Sequence, residues 1–418
     1  MYYLEKSFIN MNSLRNVKIN NLIFVLSMSI RYIQSVFHDY WPSILSNLDI
    51  VIISTSILIF LIQIIYKYKV LFYKYELINI ICVVIGFILL TLYYSNLNYN
   101  GIWLNRTTVE LLYIVIAVME AFCVFNLFEL NQLNICMKNL LAIYIIIYVF
   151  ELLFKGIKLT DFFKITLIGS YSPTESQYVA SAAMMMFYYF YTFKIKENRR
   201  AFIISLVFLI LVFKRPLIAG ASILMLLDFL FDLNITIKKR WIIISKIFFV
   251  IATIIWSILL NDSMISIIQQ TYGVNLNDFT ESRTWLYNAL INSGYKTSGY
   301  GTTTIELGKA WFNSGERYLE MDLVKIYLEV GIIGLCLFVN NYFNLVRYNL
   351  YNFLMMITIF VTLLFSSSLA EPTYWAGIMI IMGLNIYYKN DIGKCRRSSY
   401  LKMLNIKFVN KSKGRKKI

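Results

Sequence analysis

Charged residues are scarce in this chain of 418 residues, at 15% of the sequence against roughly 25% in soluble proteins. Hydrophobic residues make up 59%, and the mean hydropathy is +0.64. So many apolar side chains do not fit inside a globule that presents a water-compatible surface. The composition therefore predicts a polytopic membrane protein. It excludes soluble enzymes, disulfide scaffolds and DNA-binding proteins, in spite of an isoelectric point near 9.4.

Histidine and regularly spaced cysteine are also scarce. The one histidine, His38, lies beside Asp39 at a predicted membrane interface, and the five cysteines show no CxxC or other metal-binding spacing. A metal centre built on these residues is therefore not expected, and no cluster of oxygen ligands replaces it. We predict no metal and no cofactor. A cleavable signal peptide is not expected either, because the first apolar stretch, from Leu22, lacks a small-residue cleavage site.

Twelve apolar stretches are predicted to span the membrane, since a span needs about 20 apolar residues, or fewer where it ends inside protein. The predicted spans are residues 21–38, 48–66, 77–95, 107–126, 139–154, 178–193, 201–213, 217–236, 242–260, 323–344, 353–370 and 373–388. The fold class is thus all-α, with a polytopic membrane domain over residues 1–388. Between spans nine and ten, the connection 261–322 is much longer than the others and is predicted to be external.

The positive charges indicate how the predicted spans are oriented. With the N-terminus in the cytoplasm, 26 Lys and Arg residues fall in cytoplasmic segments and 10 in external ones, in line with the positive-inside rule. Residues 389–418 alone carry eleven Lys or Arg residues and one acid. This basic tail is predicted to lie in the cytoplasm against anionic lipid, and nucleic acid is not an expected partner.

The end of the short predicted span 201–213 carries the first group of candidate functional residues. At about 1.5 Å per residue this span falls short of a hydrocarbon core of about 30 Å. Lys214 and Arg215 follow it, and Pro216 favours a sharp reversal of the chain. Two cations are therefore predicted in a recess open to the outside. A locally thinned bilayer, with both side chains extended outward, remains an alternative.

The second group lies at the two ends of the long connection. Glu281 and Arg283 lie at the start of a predicted helix around 282–292. In this helix Trp285, Leu286, Ala289 and Leu290 form one stripe, and Gly294 after it is a C-cap signal. Arg317, Glu320 and Asp322 close the connection. These charges suit either a functional site or a structural ion pair across the connection.

Other notable residues fall inside predicted spans. Lys325 and Glu329 are four residues apart on one helical face, a spacing that allows them to pair. Arg31 and Glu120 are expected to line a cavity or to pair with another buried charge. Gly331, in the tenth span, more often indicates close helix packing than catalysis.

These features resemble the bacterial O-antigen polymerase/ligase superfamily, which includes the Wzy-type capsule and O-antigen polymerases. The resemblance depends on three segments. They are Phe-Lys-Arg-Pro at 213–216, Ser-Arg-Thr-Trp at 282–285 with a glycine turn at 299–301, and the segment 320–334, in which Glu-Met-Asp is followed after eight residues by Gly-x-x-Gly. The family commonly has histidine at the position of Glu320. The chain departs from the family pattern there, although a carboxylate can also accept a proton.

The resemblance implies polymerisation of polyprenyl-pyrophosphate-linked oligosaccharide repeat units on the outer face of the bacterial cytoplasmic membrane. The growing glycan leaves its lipid pyrophosphate and is transferred to a hydroxyl of the next lipid-linked unit. This is a metal-independent glycosyltransferase reaction of capsule or lipopolysaccharide synthesis that needs no nucleotide sugar. Membrane lipids, a flippase and a chain-length regulator protein are the further partners that the resemblance implies.

The candidate residues suit this chemistry. A pyrophosphate that leaves without a metal needs fixed cations, and arginine binds phosphate oxygens through two parallel hydrogen bonds. We therefore expect Arg215 and Arg283, helped by Lys214, to hold the pyrophosphate, and Glu320 or Asp322 to accept the proton of the acceptor hydroxyl. Further candidate substrate-binding residues are Arg317, Glu281 and Trp285.

Two other functions compete with the polymerase. A ligase of the same superfamily would transfer the finished glycan to another acceptor, and its sequence would look much the same. A transporter or lipid-linked-oligosaccharide flippase would also contain many spans and intramembrane charges. The long external connection and the lack of two matching halves favour the polymerase over the transporter.

The charge distribution makes a direct prediction about topology. Single cysteines placed in 261–322 of an otherwise cysteine-free chain should react with an impermeant maleimide in right-side-out membrane vesicles. Cysteines in both termini and in 194–200 should react only after the vesicles are opened. Labelling of 261–322 only in opened vesicles would overturn the orientation.

Overall fold

The computed structural model is helical throughout the part of the chain that it describes. It describes residues 18–34, 48–67, 71–98, 104–157, 175–193, 196–212, 215–230, 233, 235–273, 275–276, 280, 283–309 and 317–388. Within these ranges there is no β-strand, and an isolated antiparallel bridge joins Thr236 to Asn349. The predicted all-α fold class is confirmed at this level. The basic tail 389–418 and His38 lie outside the described residues.

The helices are numbered here in chain order. They are α1 (residues 18–34), α2 (Leu48–Lys67), α3 (Lys74–Asn98), α4 (Leu104–Leu127), α5 (Leu130–Phe154), α6 (Glu175–Thr192), α7 (Arg199–Val212), α8 (Arg215–Leu230), α9 (Lys239–Leu259), α10 (Asp262–Tyr272), α11 (Arg283–Asn292), α12 (Thr302–Leu307), α13 (Asp322–Asn344), α14 (Leu350–Phe365) and α15 (Pro372–Tyr387). A short 3₁₀ helix, Lys196–Asn198, precedes α7.

Each predicted span overlaps one of the helices α1–α9 and α13–α15, whereas α10–α12 lie in the connection 261–322. Five helical segments are long and apolar enough to cross a membrane: Leu48–Tyr66, Lys74–Asn98, Arg106–Leu127, Leu130–Phe154 and Lys239–Leu259. These segments indicate a multi-pass membrane protein. That the remaining seven overlapping helices also cross the membrane stays a prediction.

The helix α15 lies at the centre of the bundle. Nearly all its residues are buried, and it packs most extensively against α4 and also against α6. A helix that is apolar on every side is expected in such a central position. The helices α2, α3 and α9 instead expose rows of large apolar side chains, such as Ile65, Ile78 and Phe248. These rows form a surface suited to lipid.

Charged side chains meet at the two ends of the bundle. At one end Glu76 of α3 bonds Arg347 at 2.7 Å and accepts a hydrogen bond from the Tyr387 hydroxyl at 3.0 Å. At the other end lie the beginnings of α4, α13 and α15, and the connection 261–322 packs there. We call this second end the loop end. It corresponds to the predicted external side.

The predicted helix of the long connection is confirmed as α11, Arg283–Asn292. Gly294 follows it with a positive φ of 80°, as the sequence indicated. Three members of the predicted stripe, Leu286, Ala289 and Leu290, are buried. The fourth, Trp285, is 39% exposed.

The helix α13 is kinked at Gly331, where φ is 68° and ψ is −172°. This backbone conformation is accessible almost only to glycine. A Cβ at this position would also approach the Tyr94 hydroxyl to 2.8 Å. Next to the kink, the carbonyl of Glu329 accepts a hydrogen bond from the amide of Gly299 at 2.9 Å. Gly331 therefore permits close packing, as expected, and also bends the helix beside the connection.

The kink predicts a stability difference between two glycine variants. Gly331→Ala should lower the apparent melting temperature of the detergent-solubilised protein, since such backbone strain costs about 1–3 kcal/mol and the methyl group meets Tyr94. Gly156→Ala is the matched control, because Gly156 also has a positive φ, of 63°, but no neighbouring atom near its would-be Cβ. An equal or smaller loss in Gly331→Ala would contradict the account.

Candidate functional site

A buried ion pair joins α4 to α13 at the loop end. The Lys325 ammonium donates to both carboxylate oxygens of Glu110, at 2.7 and 2.6 Å, and both side chains are less than 10% exposed. Arg106, one turn earlier on α4, donates to the same carboxylate at 3.0 Å. The spacing of Lys325 and Glu329 also allowed a pair within α13, but the ion pair that forms is with Glu110, because the facing helix α4 offers Lys325 a buried carboxylate with a bidentate geometry.

The long connection docks on this network through α12 and the residues beside it. Glu329 accepts hydrogen bonds from the Thr303 amide at 3.1 Å and from its hydroxyl at 2.6 Å. The Thr107 hydroxyl of α4 donates to the Tyr300 carbonyl at 2.6 Å. Arg106 also donates to the Tyr318 hydroxyl, at the other end of the connection. The buried charges thus fix the position of a polar segment against apolar helices.

Asp322, the first residue of α13, holds the turn between α14 and α15. Its carboxylate accepts hydrogen bonds from the amides of Ser368 and Leu369, at 2.5 and 2.8 Å, and it is only 4% exposed. The Trp375 indole N–H donates to the Ser368 carbonyl at 3.1 Å. The turn 366–371 is therefore held by hydrogen bonds from two helices.

A second group of charges lies on the far side of this turn. Arg31 of α1 donates to the carboxylate of Asp49 at 2.6 Å, and its Nε lies 3.8 Å from a carboxylate oxygen of Glu371. The guanidinium also lies over the Tyr113 ring, 5.4 Å from its centroid. Burial raises the pKa of the Glu371 carboxyl, and the neighbouring Arg31 opposes that shift. The expectation that Arg31 pairs with another buried charge is confirmed.

A cavity of about 120 Å³ lies between these elements. The α6, α8 and α14 helices, the turn 366–371 and the start of α15 enclose it. Its lining residues are Val179, Ala180, Leu217, Thr362, Ser366, Ser367, Ser368, Ala370, Glu371 and Tyr374. The cavity thus has an apolar wall from α6 and α8, and a polar wall from the turn.

The predicted residues Arg283 and Glu320 are brought together by the fold. The Arg283 guanidinium donates to the Glu320 carboxylate at 3.2 Å and to the Thr280 carbonyl at 3.1 Å. Arg283 is 11% exposed at its side chain and Glu320 is 42% exposed. The structural ion pair, one of the two alternatives that the sequence allowed, is therefore present. Its carboxylate faces solvent.

The other predicted site residues are not shown in contact with Arg283 or Glu320. Arg317 is exposed, and its amide donates to the Thr304 carbonyl at 2.9 Å; Trp285 is exposed on α11. Arg215 begins α8, two residues before the cavity-lining Leu217, and its side chain lies outside the described part of the chain. Lys214 and Glu281 also lie outside the described residues.

Several charged residues of the loop end were not predicted from the sequence as members of a site. Arg106, Glu110, Asp49 and Glu371 all lie at or near the first turn of a helix, where acids and bases usually indicate an interface with water. Among the described residues, no group of three or more His, Cys, Asp and Glu side chains could hold a metal ion. Anion binding at this end would depend on arginine and lysine side chains.

Comparison with known proteins adds no further constraint. No protein-family model, curated protein or solved structure matches this chain.

The buried ion pair predicts how stability responds to removing its charges. Lys325→Met should be strongly destabilising, by about 3–5 kcal/mol, because it leaves Glu110 charged with less compensation. The double variant Lys325→Met/Glu110→Gln should recover part of that loss. Lys155→Met is the matched control, since Lys155 pairs with Glu151 but is half exposed. The measurement is the apparent melting temperature in detergent, and equal effects of Lys325→Met and Lys155→Met would contradict the assignment.

Proposed function

We propose that this chain polymerises polyprenyl-pyrophosphate-linked oligosaccharide repeat units for an O-antigen or a capsular polysaccharide. The observation that carries the proposal is the contact between Arg283 and Glu320 at the surface of the loop end, 3.2 Å apart. An anion-binding cation and a proton-accepting carboxylate are the two groups that the reaction needs. A cavity with both a polar and an apolar wall lies at the same end of the bundle.

The pyrophosphate would bind to Arg283. Two contacts, to Thr280 and Glu320, hold its guanidinium, so that little reorganisation is needed when negative charge develops on the leaving group. Incoming pyrophosphate competes with Glu320 for this guanidinium and leaves the carboxylate free. Arg215, at the start of α8, and Lys214 are proposed to contribute further positive charge.

Glu320 would accept the proton of the acceptor hydroxyl. The bond between the anomeric carbon and the pyrophosphate oxygen breaks, and the acceptor oxygen forms the new glycosidic bond to that carbon. The proton passes to Glu320, and the pyrophosphate leaves on its lipid. Glu320 suits this role better than Asp322, because Asp322 is buried and already accepts two backbone hydrogen bonds.

The proposed cellular setting follows from the charge distribution. The protein would lie in the bacterial cytoplasmic membrane with both termini in the cytoplasm and the loop end outside, where flipped lipid-linked units arrive. Residues 389–418 would bind anionic lipid. Arg317, Glu281 and Trp285 are proposed to contact the glycan, and a flippase and a chain-length regulator are proposed partners.

A ligase of the same superfamily would use the same groups, but it would transfer one finished glycan and produce no ladder of repeat units. A flippase would move the lipid-linked unit without forming a glycosidic bond. The products therefore separate the three functions.

The proposal predicts the effect of changes at the ion pair. Arg283→Lys keeps the charge but loses the bidentate geometry, and Glu320→Gln keeps the shape but loses the base. Each should lower the polymerisation rate by about 10²–10³. Glu320→His should restore part of the activity. The measurement is the glycan ladder in a strain that lacks its own polymerase, normalised to the amount of protein in the membrane.

The same connection offers a matched control. Lys309 and Glu306 also form an ion pair at 3.2 Å, and Lys309→Met and Glu306→Gln should polymerise like the wild type. Wild-type ladders from both Arg283→Lys and Glu320→Gln would reject these residues as the site. If Arg215→Ala were fully active as well, the flippase would become the better hypothesis.

A further inference from the structure

A serine beside the cavity has a buried hydroxyl with no hydrogen-bond partner among the described residues. The Ser368 hydroxyl oxygen is inaccessible to solvent, and it lacks such a partner although the amide and the carbonyl of the same residue are both bonded. Leaving a buried polar group unpaired costs about 1–3 kcal/mol. Ser368 lines the cavity, and rotation about its Cα–Cβ bond would bring this hydroxyl to a ligand there.

Neighbouring side chains add polar groups to the same wall. Ser366, Ser367 and Glu371 line the cavity beside Ser368. The Arg31 guanidinium contacts Glu371 from outside the lining, at 3.8 Å, and fixes the position of the carboxylate. Hydroxyls can donate to and accept from a ligand that carries several hydroxyl groups, and a carboxylate can accept from it.

The opposite wall is apolar. It contains Val179 and Ala180 of α6 and Leu217 of α8, and the Tyr374 side chain adds an aromatic ring. A sugar ring carries hydroxyls along its edge and C–H groups on its faces, so it matches one polar and one apolar wall. Glu371 is the one charged side chain among the described lining residues, and its negative charge favours a neutral ligand over a phosphate.

The volume limits the ligand to part of a glycan. At roughly 30 Å³ per water molecule, a cavity of about 120 Å³ holds about four waters. This is enough for one edge of a single sugar ring. The rest of a bound oligosaccharide would extend toward the loop end.

We propose that this cavity binds one sugar of the acceptor repeat unit, with Glu371 and Ser368 as the groups that bond its hydroxyls. The proposal rests on the proposed function and specifies its acceptor subsite. The turn that forms the polar wall is held by Asp322, two residues after Glu320, so the bound sugar would lie near the proposed base.

Binding of the free glycan tests the subsite without requiring catalysis. The probe is the repeat-unit oligosaccharide, released from the lipid-linked pool of the producing cells by mild acid and freed of pyrophosphate. Isothermal titration calorimetry on the full-length protein in detergent should show binding to the wild type. Glu371→Gln and Ala180→Leu, which fills the cavity, should weaken it about ten-fold or more, as expected for a lost hydrogen bond to a charged group or a blocked subsite.

Glu151→Gln is the matched control, since Glu151 is a buried acid that pairs with Lys155 and does not line the cavity. It should bind like the wild type. Ser368→Ala should weaken binding less than Glu371→Gln, because it removes a neutral hydrogen bond. Gel filtration and an apparent melting temperature establish that each variant is folded; if Ala180→Leu does not fold, Glu371→Gln with Ser368→Ala decides.

The outcomes separate the two proposals. No binding by the wild type, or equal binding by wild type, Glu371→Gln and Ser368→Ala, overturns the subsite even if polymerisation is observed. Binding that depends on Glu371 in a protein that forms no ladder supports the saccharide site and rejects the polymerase.

Discussion

The ion pair between Lys325 and Glu110 is the constraint on which the loop end depends. The two charged residues are 215 positions apart in the chain and are buried together. Removing either one would leave the other charge buried and less compensated, with a large loss of stability. The pair therefore fixes α13 against α4. Because Glu110 also binds Arg106, and Glu329 binds Thr303, the same constraint fixes a polar connection against a bundle of apolar helices.

Residues that precede Lys325 in the chain connect this ion pair to the proposed site. One turn before Lys325, Asp322 holds the amides of Ser368 and Leu369, and so forms the polar wall of the cavity. Two residues before Asp322, Glu320 meets Arg283 across the connection. A buried structural network thus supports a partly exposed pair of opposite charge. This division suits a reaction in which the supporting residues stay paired while the exposed pair opens to accept an anion.

The positions of the helices could be predicted from the sequence better than the side-chain contacts between them. Long apolar runs and the glycine after α11 each have a local physical cause, so helices overlapping all twelve stretches and the position of Gly294 could be read from the chain. The partner of Lys325 could not, because Glu329 is one turn away and Glu110 is distant, and only the packing of α4 against α13 decides between them. The same holds for Trp285, because the spacing of the residues in a helical stripe does not tell which of them are buried. Glu371 and Ser368 gave no signal, because a short polar turn between two apolar helices is ordinary.

The central claim is that two lipid-linked units suffice to make a longer glycan. The most direct measurement reconstitutes the purified protein into lipid vesicles with the lipid-linked repeat unit and no nucleotide sugar, and separates the products by size. The account predicts a ladder in steps of one repeat unit, with release of polyprenyl pyrophosphate in equal molar amount. Unchanged repeat units that only move from one leaflet to the other would contradict it.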